Sequence, residues 1–369
     1  MKRFLGLFYV LLLFLIVACK KDTEVLPVVP IIPGQPVDTT KPYIPTPYFV
    51  KLPLGLTEFP YSIDNPLTVE GVELGRKLFH DKMLSLDETQ SCASCHNQLN
   101  GFTDNGNQFS TGITGAVGTR NSMPLFNLAW VEKFAKTTNR FFWDGGSISL
   151  EHQSLDPITN PIEMAESLLN VLSKLQQDSV YPSLFKKAFG TDSITTKLLS
   201  QAIAQFERTI VSGSTRFDKY RLFLQPAYLT AQELRGLALF NTEEKADCFH
   251  CHNVSGSYST DFLFHNNGHQ STDLGLARIT NNAEDNGKFR TPTLRNLQLT
   301  APYMHDGRLK TLEEVVEFYN SGAIRNFPAD PFITKHPNGL QLTSEEKADL
   351  VAFLKCMTDS TLITNPDYK

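Results

Sequence analysis

The chain has 369 residues, 41% of them hydrophobic, which is enough for roughly two packed domains and argues against a disordered or fibrous polypeptide. Its formal net charge is −5, and no basic cluster marks a nucleic-acid binder.

Lys2 and Arg3 precede an apolar run from Phe4 to Val17 that is too short to span a bilayer comfortably and fits the core of an export signal. Small Ala18 stands directly before Cys19, the pattern of a bacterial lipoprotein signal whose cysteine becomes the lipidated first residue. An ordinary signal with a stray cysteine, or a short uncleaved anchor, is the plainer alternative. Residues 1–18 are therefore read as the signal, and the chain as exported and lipid-anchored through Cys19 at a periplasmic or cell-envelope face. Nine of the 21 prolines fall between Lys20 and Pro60, without helical periodicity, so 19–60 reads as a semi-extended tether of about 3.1 Å per residue.

Cys92, Ala93, Ser94, Cys95 and His96 come next. Two thiols one helical turn apart can each add to a vinyl group of one haem, and the following histidine can ligate its iron. The motif returns at Cys248, Phe249, His250, Cys251 and His252. A zinc ribbon would bring the paired cysteines within about 20 residues of each other, whereas these lie about 150 apart; a thioredoxin-like motif would need flanking βαβ patterning. Each motif is preceded by a similar stretch, with Leu67, Thr68, Gly75, Leu78 and Phe79 matching Leu229, Thr230, Gly236, Leu239 and Phe240. In both, the threonine is placed to cap an amphipathic helix. The expected fold is mainly α, with two cytochrome c-like helical haem domains in tandem, 61–225 and 226–360, each carrying a covalent haem. The one cysteine left over, Cys356, lies in an apolar helical pattern and reads as a small buried hydrophobe.

No histidine occurs from Asn97 through Glu151, so the first iron is expected to have His96 on one side and an open face on the other, where peroxide can bind. Trp143 reads first as a core aromatic; between two haems it would also be a stepping stone for electrons. Asn160, Pro161 and Glu163 fit the N-cap, N1 and N3 positions of a helix running to Gln177. The functional alternative places Glu163 over the open iron as a general acid-base. In the second half, Thr311 and Glu314 spell a capping box, and Leu312, Val315, Val316 and Tyr319 follow helical spacing. Pattern alone makes Tyr319 a buried core tyrosine. The second iron is an alternative partner for its phenol, with Met304 and His305 as rivals.

Taken in order along the chain, several segments resemble the bacterial dihaem cytochrome c peroxidase and MauG family over approximately Asn65 to Asp359. They are the two haem motifs, Thr119-Arg120-Asn121-Ser122, Phe142-Trp143-Asp144-Gly145, Asn160-Pro161-Ile162-Glu163-Met164, Arg290-Thr291-Pro292-Thr293-Leu294-Arg295-Asn296 and Ala301-Pro302-Tyr303-Met304-His305-Asp306-Gly307. The resemblance implies His96 as proximal ligand of the peroxidatic haem and Trp143 as the bridge between haems. It puts Gln153, Pro157 and Glu163 in the distal pocket. It also implies a calcium ion held by Asn121 and the carbonyls of Thr300 and Pro302, an oxygen set suited to a hard cation. Members activated by reduction carry a distal histidine before the Arg-Asn-Ser segment and a methionine ligand on the second haem. Here the first is missing and Tyr319 takes the place of the second, both in the manner of MauG.

Three functions follow. The first is a peroxidase that reduces hydrogen peroxide at the His96 haem, with electrons from a small cytochrome c or cupredoxin entering through the His252 haem. The second is a MauG-like oxidase of partner-protein side chains, which rests on Tyr319. The third, a pure electron carrier, requires six ligands on both irons. A homodimer is compatible with each.

Overall fold

A computed structural model describes residues 43–369 apart from 57, 136–140 and 325–327. The lipoprotein signal, Cys19 and most of the expected tether lie outside the described residues. Among the described residues no helix is long and apolar enough to cross a membrane.

The architecture is helical, and its plan repeats. Helix α1 (Val69–His80) starts at Thr68, whose side chain accepts from the Gly71 amide, and packs across α2 (Thr196–Thr209). In the second half α3 (Ala231–Phe240) opens with a Thr230–Glu233 capping box and packs across α4 (Ser344–Cys356). Each crossing is made at a glycine. A Cβ on Gly75 would sit 1.9 Å from the Ala202 carbonyl oxygen and 2.9 Å from Phe206 Cβ; on Gly236 it would sit 2.0 Å from the Asp349 carbonyl oxygen and 2.8 Å from Phe353 Cβ. The sequence echo around Gly75 and Gly236 is thus an echo in packing.

This sets a stability prediction. Alanine gains about 1 kcal/mol over glycine in helix propensity, but a methyl driven into a backbone carbonyl costs about 1–3 kcal/mol or more as the helices part. Gly75→Ala should therefore lower the thermal midpoint by several degrees; a midpoint equal to or above wild type would refute the close crossing.

One core lies within the first half, with Leu78, Leu84, Val171, Phe185 and Ile203. Another lies within the second, with Phe240, Leu312, Val316 and Phe353. A third joins Phe79, Phe102, Trp130 and Phe206 to Phe262, Leu362 and Tyr368. Buried ion pairs brace these cores: Arg295 grips Asp218 through two bonds of 2.6 and 2.7 Å, and Arg208 holds Glu132 and Glu151. Strands are confined, among the described residues, to the pair β1 (Phe264–His265) and β2 (Phe289–Arg290), antiparallel with Phe264 opposite Arg290.

Three expectations need correction. Tyr43 to Pro60 is not tether but part of the body: Tyr48 N donates to the Leu67 carbonyl, and Leu56 and Phe59 are buried. Apolar residues between the prolines supply the reason, since they reach the third core. Phe217 already belongs to the second core, ahead of the expected boundary at 226. The helix expected from Asn160 begins instead at Leu168 and is capped by Ser167. Ala165 adopts a left-handed conformation (φ 49°), which breaks the run, and Asn160 ends the preceding turn of helix, Asp156–Thr159.

The final residues fold back on the first half. Gln98 Nε2 donates to the carbonyls of Leu362 (2.9 Å) and Asn365 (2.8 Å), and the Tyr368 hydroxyl donates to the Thr209 carbonyl (3.1 Å).

Candidate functional site

Cys92–Cys95 forms a single helical turn, and the His96 amide donates back to the Cys92 carbonyl (2.9 Å). His96 Nδ1 lies 2.9 Å from the Phe102 carbonyl oxygen. With Nδ1–H donated there, Nε2 is the nitrogen left for a metal. Burial lowers the His96 pKa and favours the neutral, ligand-competent ring; it also pushes the Cys95 thiol up to about 11.

Of the residues expected in the distal pocket, Glu163 lies close enough to this turn for its charge to be felt at both Cys92 and Cys95. Glu163 is half-buried, and desolvation raises its pKa. Its carboxylate accepts from Asn160 Nδ2 (2.8 Å) and caps no helix. The Pro157 carbonyl accepts from the Met164 amide (3.2 Å), and the Glu163 carbonyl accepts from the Ile113 amide (2.9 Å), which holds the segment down from both sides. Gln153 is buried, and its Oε1 has no hydrogen-bond partner. The adjacent His152 points elsewhere: its ring bonds to Ser147 Oγ (2.9 Å) and is 56% exposed.

The second motif repeats the arrangement. The His252 amide donates to the Cys248 carbonyl (2.9 Å), and Nδ1 lies 3.4 Å from the Ser259 carbonyl. Burial lowers the His252 pKa to about 4 and pushes the Cys248 thiol up to about 12. A cavity with mostly apolar walls opens beside them, lined by Cys248, Cys251, His252, Trp143, Arg290, Met304 and Tyr319. Tyr319 reaches it from a π turn, Phe318–Gly322, that follows the helix Leu312–Glu317 and its Thr311–Glu314 capping box. The tyrosine hydroxyl accepts from Asn267 Nδ2 (3.0 Å), which also lies 3.5 Å from Met304 Sδ. Burial raises the Tyr319 pKa. All three candidate sixth ligands, Tyr319, Met304 and His305, therefore line one cavity.

The lining of this cavity suits a haem in charge. Arg290 is buried on its wall, has Nε without a hydrogen-bond partner, and is pulled down to about 10 by desolvation. A haem propionate would supply the missing anion.

Trp143 is buried, donates Nε1–H to the Asn121 carbonyl (2.9 Å) and accepts from the Arg290 amide (2.8 Å). It lines the second cavity and is tied through Asn121 to the segment whose Ser122 hydroxyl donates to the Cys95 carbonyl (3.1 Å). Asn121, Thr300 and Pro302 also line the second cavity. Asn121 Nδ2 donates to the carbonyls of Asn107 and Gln108, both at 3.1 Å, so its Oδ1 is the end left for a cation.

Three residues escaped sequence reasoning as individuals. Arg290 belongs to the segment Arg290–Asn296, and its sequence context assigns it no role. Glu207, fully buried on α2 and pushed up to about 8 by desolvation, is felt at Cys92; the signal was a charged Glu-Arg pair within an apolar helical stretch. Asn267 carries no signal, because only the fold brings it to Tyr319.

Residues 69–223 match the family model of di-haem cytochrome c peroxidase. The chain is 34% identical over 305 residues to the methylamine utilization protein MauG of Methylophilus methylotrophus, covering 82% of this chain and 87% of that protein. It is also 34% identical over 317 residues to cytochrome c551 peroxidase of Nitrosomonas europaea, covering 84% and 85%. The crystal structure of a MauG-like protein associated with microbial copper homeostasis superposes with a TM-score of 0.76 at 34% identity, over 87% of this chain and 99% of that one.

Proposed function

Because the chain belongs to the family of dihaem cytochrome c peroxidases and MauG, we propose that it reduces hydrogen peroxide at a haem held by Cys92, Cys95 and His96, with two electrons arriving through Trp143 and a second haem held by Cys248, Cys251 and His252. The overall reaction takes one peroxide, two protons and two electrons to two waters. Bound haem iron supplies a site for a peroxide oxygen and the means to pass electrons. The protein's part is to position and to move protons. Glu163 takes the proton of the incoming peroxide and returns it to the departing oxygen. Gln153 offers its unsatisfied Oε1 to the same proton, and Pro157 shapes the wall. His96 and His252 hold their rings by Nδ1–H bonds to backbone carbonyls. Trp143 is fixed at both its indole N–H and its carbonyl, so it bridges the two halves without rearranging. Asn121 with the Thr300 and Pro302 carbonyls would hold a calcium ion beside it. The electron donor is a small cytochrome c or cupredoxin, met at a membrane face to which Cys19 anchors the chain.

The observation that carries this reading is the half-buried Glu163 carboxyl, whose charge is felt at both first haem cysteines, while the nearby His152 turns outward. With the fully haem-loaded protein and a reduced small cytochrome or cupredoxin, two donor molecules should be oxidised for each peroxide consumed. Absence of peroxide consumption with either donor would remove the proposal.

Tyr319 favours a second reading, in which the electrons come from side chains of a partner protein. A phenolate ligand stabilises oxidised iron and lowers its potential, a poor match to a high-potential electron-entry haem. Peroxide consumed without those donors, but with a mass change in a partner's aromatic residue, would select it.

A further inference from the structure

At the edge of the second cavity, whose lining includes His305, one cluster gathers ligating side chains that the haem reading leaves unused. His269, His305 and Asp306 each place a ring nitrogen or carboxylate oxygen within 4.8 Å of the others. The side chain of His269 is 3% exposed and that of Asp306 13%, while His305 is buried. His269 Nε2 lies 3.1 Å from Asp306 Oδ2. The two imidazole rings are 5.2 Å apart and nearly perpendicular at 89°, so one presents an edge to the other rather than stacking.

Each member is also held from behind. His305 stacks on Phe289 at 3.7 Å and 10°. Its carbonyl accepts from the Asn121 amide, and the Asp306 carbonyl accepts from Gln108 Nε2. Arg308 clamps the Asp306 carboxylate through Nε (2.8 Å), as carboxylate ligands are commonly hydrogen-bonded by an outer shell. A second Arg308 guanidinium nitrogen lies 2.6 Å from the same oxygen, Oδ2, so of the roughly four lone-pair positions of a carboxylate it is those on Oδ1 that leave room for a further partner.

An ordinary histidine–aspartate pair accounts for His269 but not for His305. Among the described residues, the hydrogen-bond partner of the His305 ring is Ser271 Oγ, at a long 3.3 Å. Two buried imidazoles and one carboxylate around a common point are the donor set of a divalent transition metal; calcium and magnesium prefer oxygen throughout. In a tetrahedral site with bonds of about 2.0–2.1 Å, ligand atoms lie roughly 3.3 Å apart, so small side-chain shifts would close this cluster.

We propose that His269, His305 and Asp306 bind one divalent transition-metal ion of the zinc or copper(II) class, with a water as the remaining ligand. The site is separate from the all-oxygen set of Asn121, Thr300 and Pro302. It lies two hydrogen bonds from Tyr319: the His269 amide donates to Asn267 Oδ1 (3.2 Å), and Asn267 Nδ2 donates to the tyrosine hydroxyl. The ion would thus fasten the loop that presents Asn267.

Zinc is the probe, since it is redox-silent. Haem-loaded protein is stripped with chelator, returned to excess calcium and dialysed against equimolar zinc, and zinc and haem iron are counted by mass spectrometry. Wild type should retain one zinc per two haems. His269→Leu, which keeps the site apolar and compact, should retain none at unchanged haem content. His305→Gln gives the same test if the first variant loses haem, and the exposed His152→Ala should retain zinc. A wild type without zinc, or zinc kept by both site variants, or zinc lost with His152, would overturn the assignment.

Discussion

Glu163→Gln is expected to slow peroxide consumption by about 10²–10⁴-fold, the usual worth of a positioned acid-base group, or about 3–5 kcal/mol in the barrier. The substitution keeps the volume and can keep the Asn160 contact while removing the group that exchanges the proton. Haem content, read by mass and by absorbance, should not change. The pH profile gives an independent check. Burial raises the Glu163 pKa above the ordinary carboxylate value of 4.5. The carboxylate has to be unprotonated to accept the proton of peroxide, so the wild-type rate should rise with pH through a pKa above that value. The limb should vanish in the glutamine variant. An unchanged rate in a variant with both haems would eliminate Glu163 as the acid-base group.

Tyr319→Met is expected to raise the reduction potential of the second haem, by a sizeable part of the roughly 0.8 V that axial ligands span. The reason lies in ligand charge: a phenolate stabilises ferric and more oxidised iron, and a neutral thioether favours the reduced form. Burial alone raises the tyrosine pKa, so the phenolate would exist only with a metal to hold it. Tyr319→Phe removes the oxygen, and with it the long-lived spectral change that peroxide should induce if the second reading is right. A potential unmoved in both variants would transfer the ligand role to Met304, which shares the cavity and lies within 3.5 Å of Asn267 Nδ2.

How much of this could be read beforehand depended on the distance over which each feature is encoded. Cys92, Cys95 and His96 are legible because the chemistry fixes their spacing within five residues. The capping threonines and Gly75 and Gly236 are legible because helix geometry is local and the pattern occurs twice. The local structure around Glu163 was not legible: Asn160 and Pro161 satisfy every rule for a helix start, and a single left-handed residue, Ala165, breaks the run. Tyr319 was assigned to a buried face by period, although the helix gives way to a π turn there. Contacts made by the fold as a whole had no local signature. His269 is a lone histidine in a polar loop until the chain brings it to Asp306, and Arg290 is one basic residue among many until burial leaves it without an anion.

The fold-back of Leu362 to Tyr368 onto Gln98 and Thr209 bears on the order of biogenesis. A nascent polypeptide emerging from its N-terminal end exposes Cys92 and Cys95 long before residue 368 exists to cover that flank. The first porphyrin could thus be installed while that flank is still uncovered, with Leu362 to Tyr368 closing it afterwards. Trimming it should leave attachment intact while loosening the first half, a separation of chemistry from closure that pulse-labelled maturation intermediates would reveal.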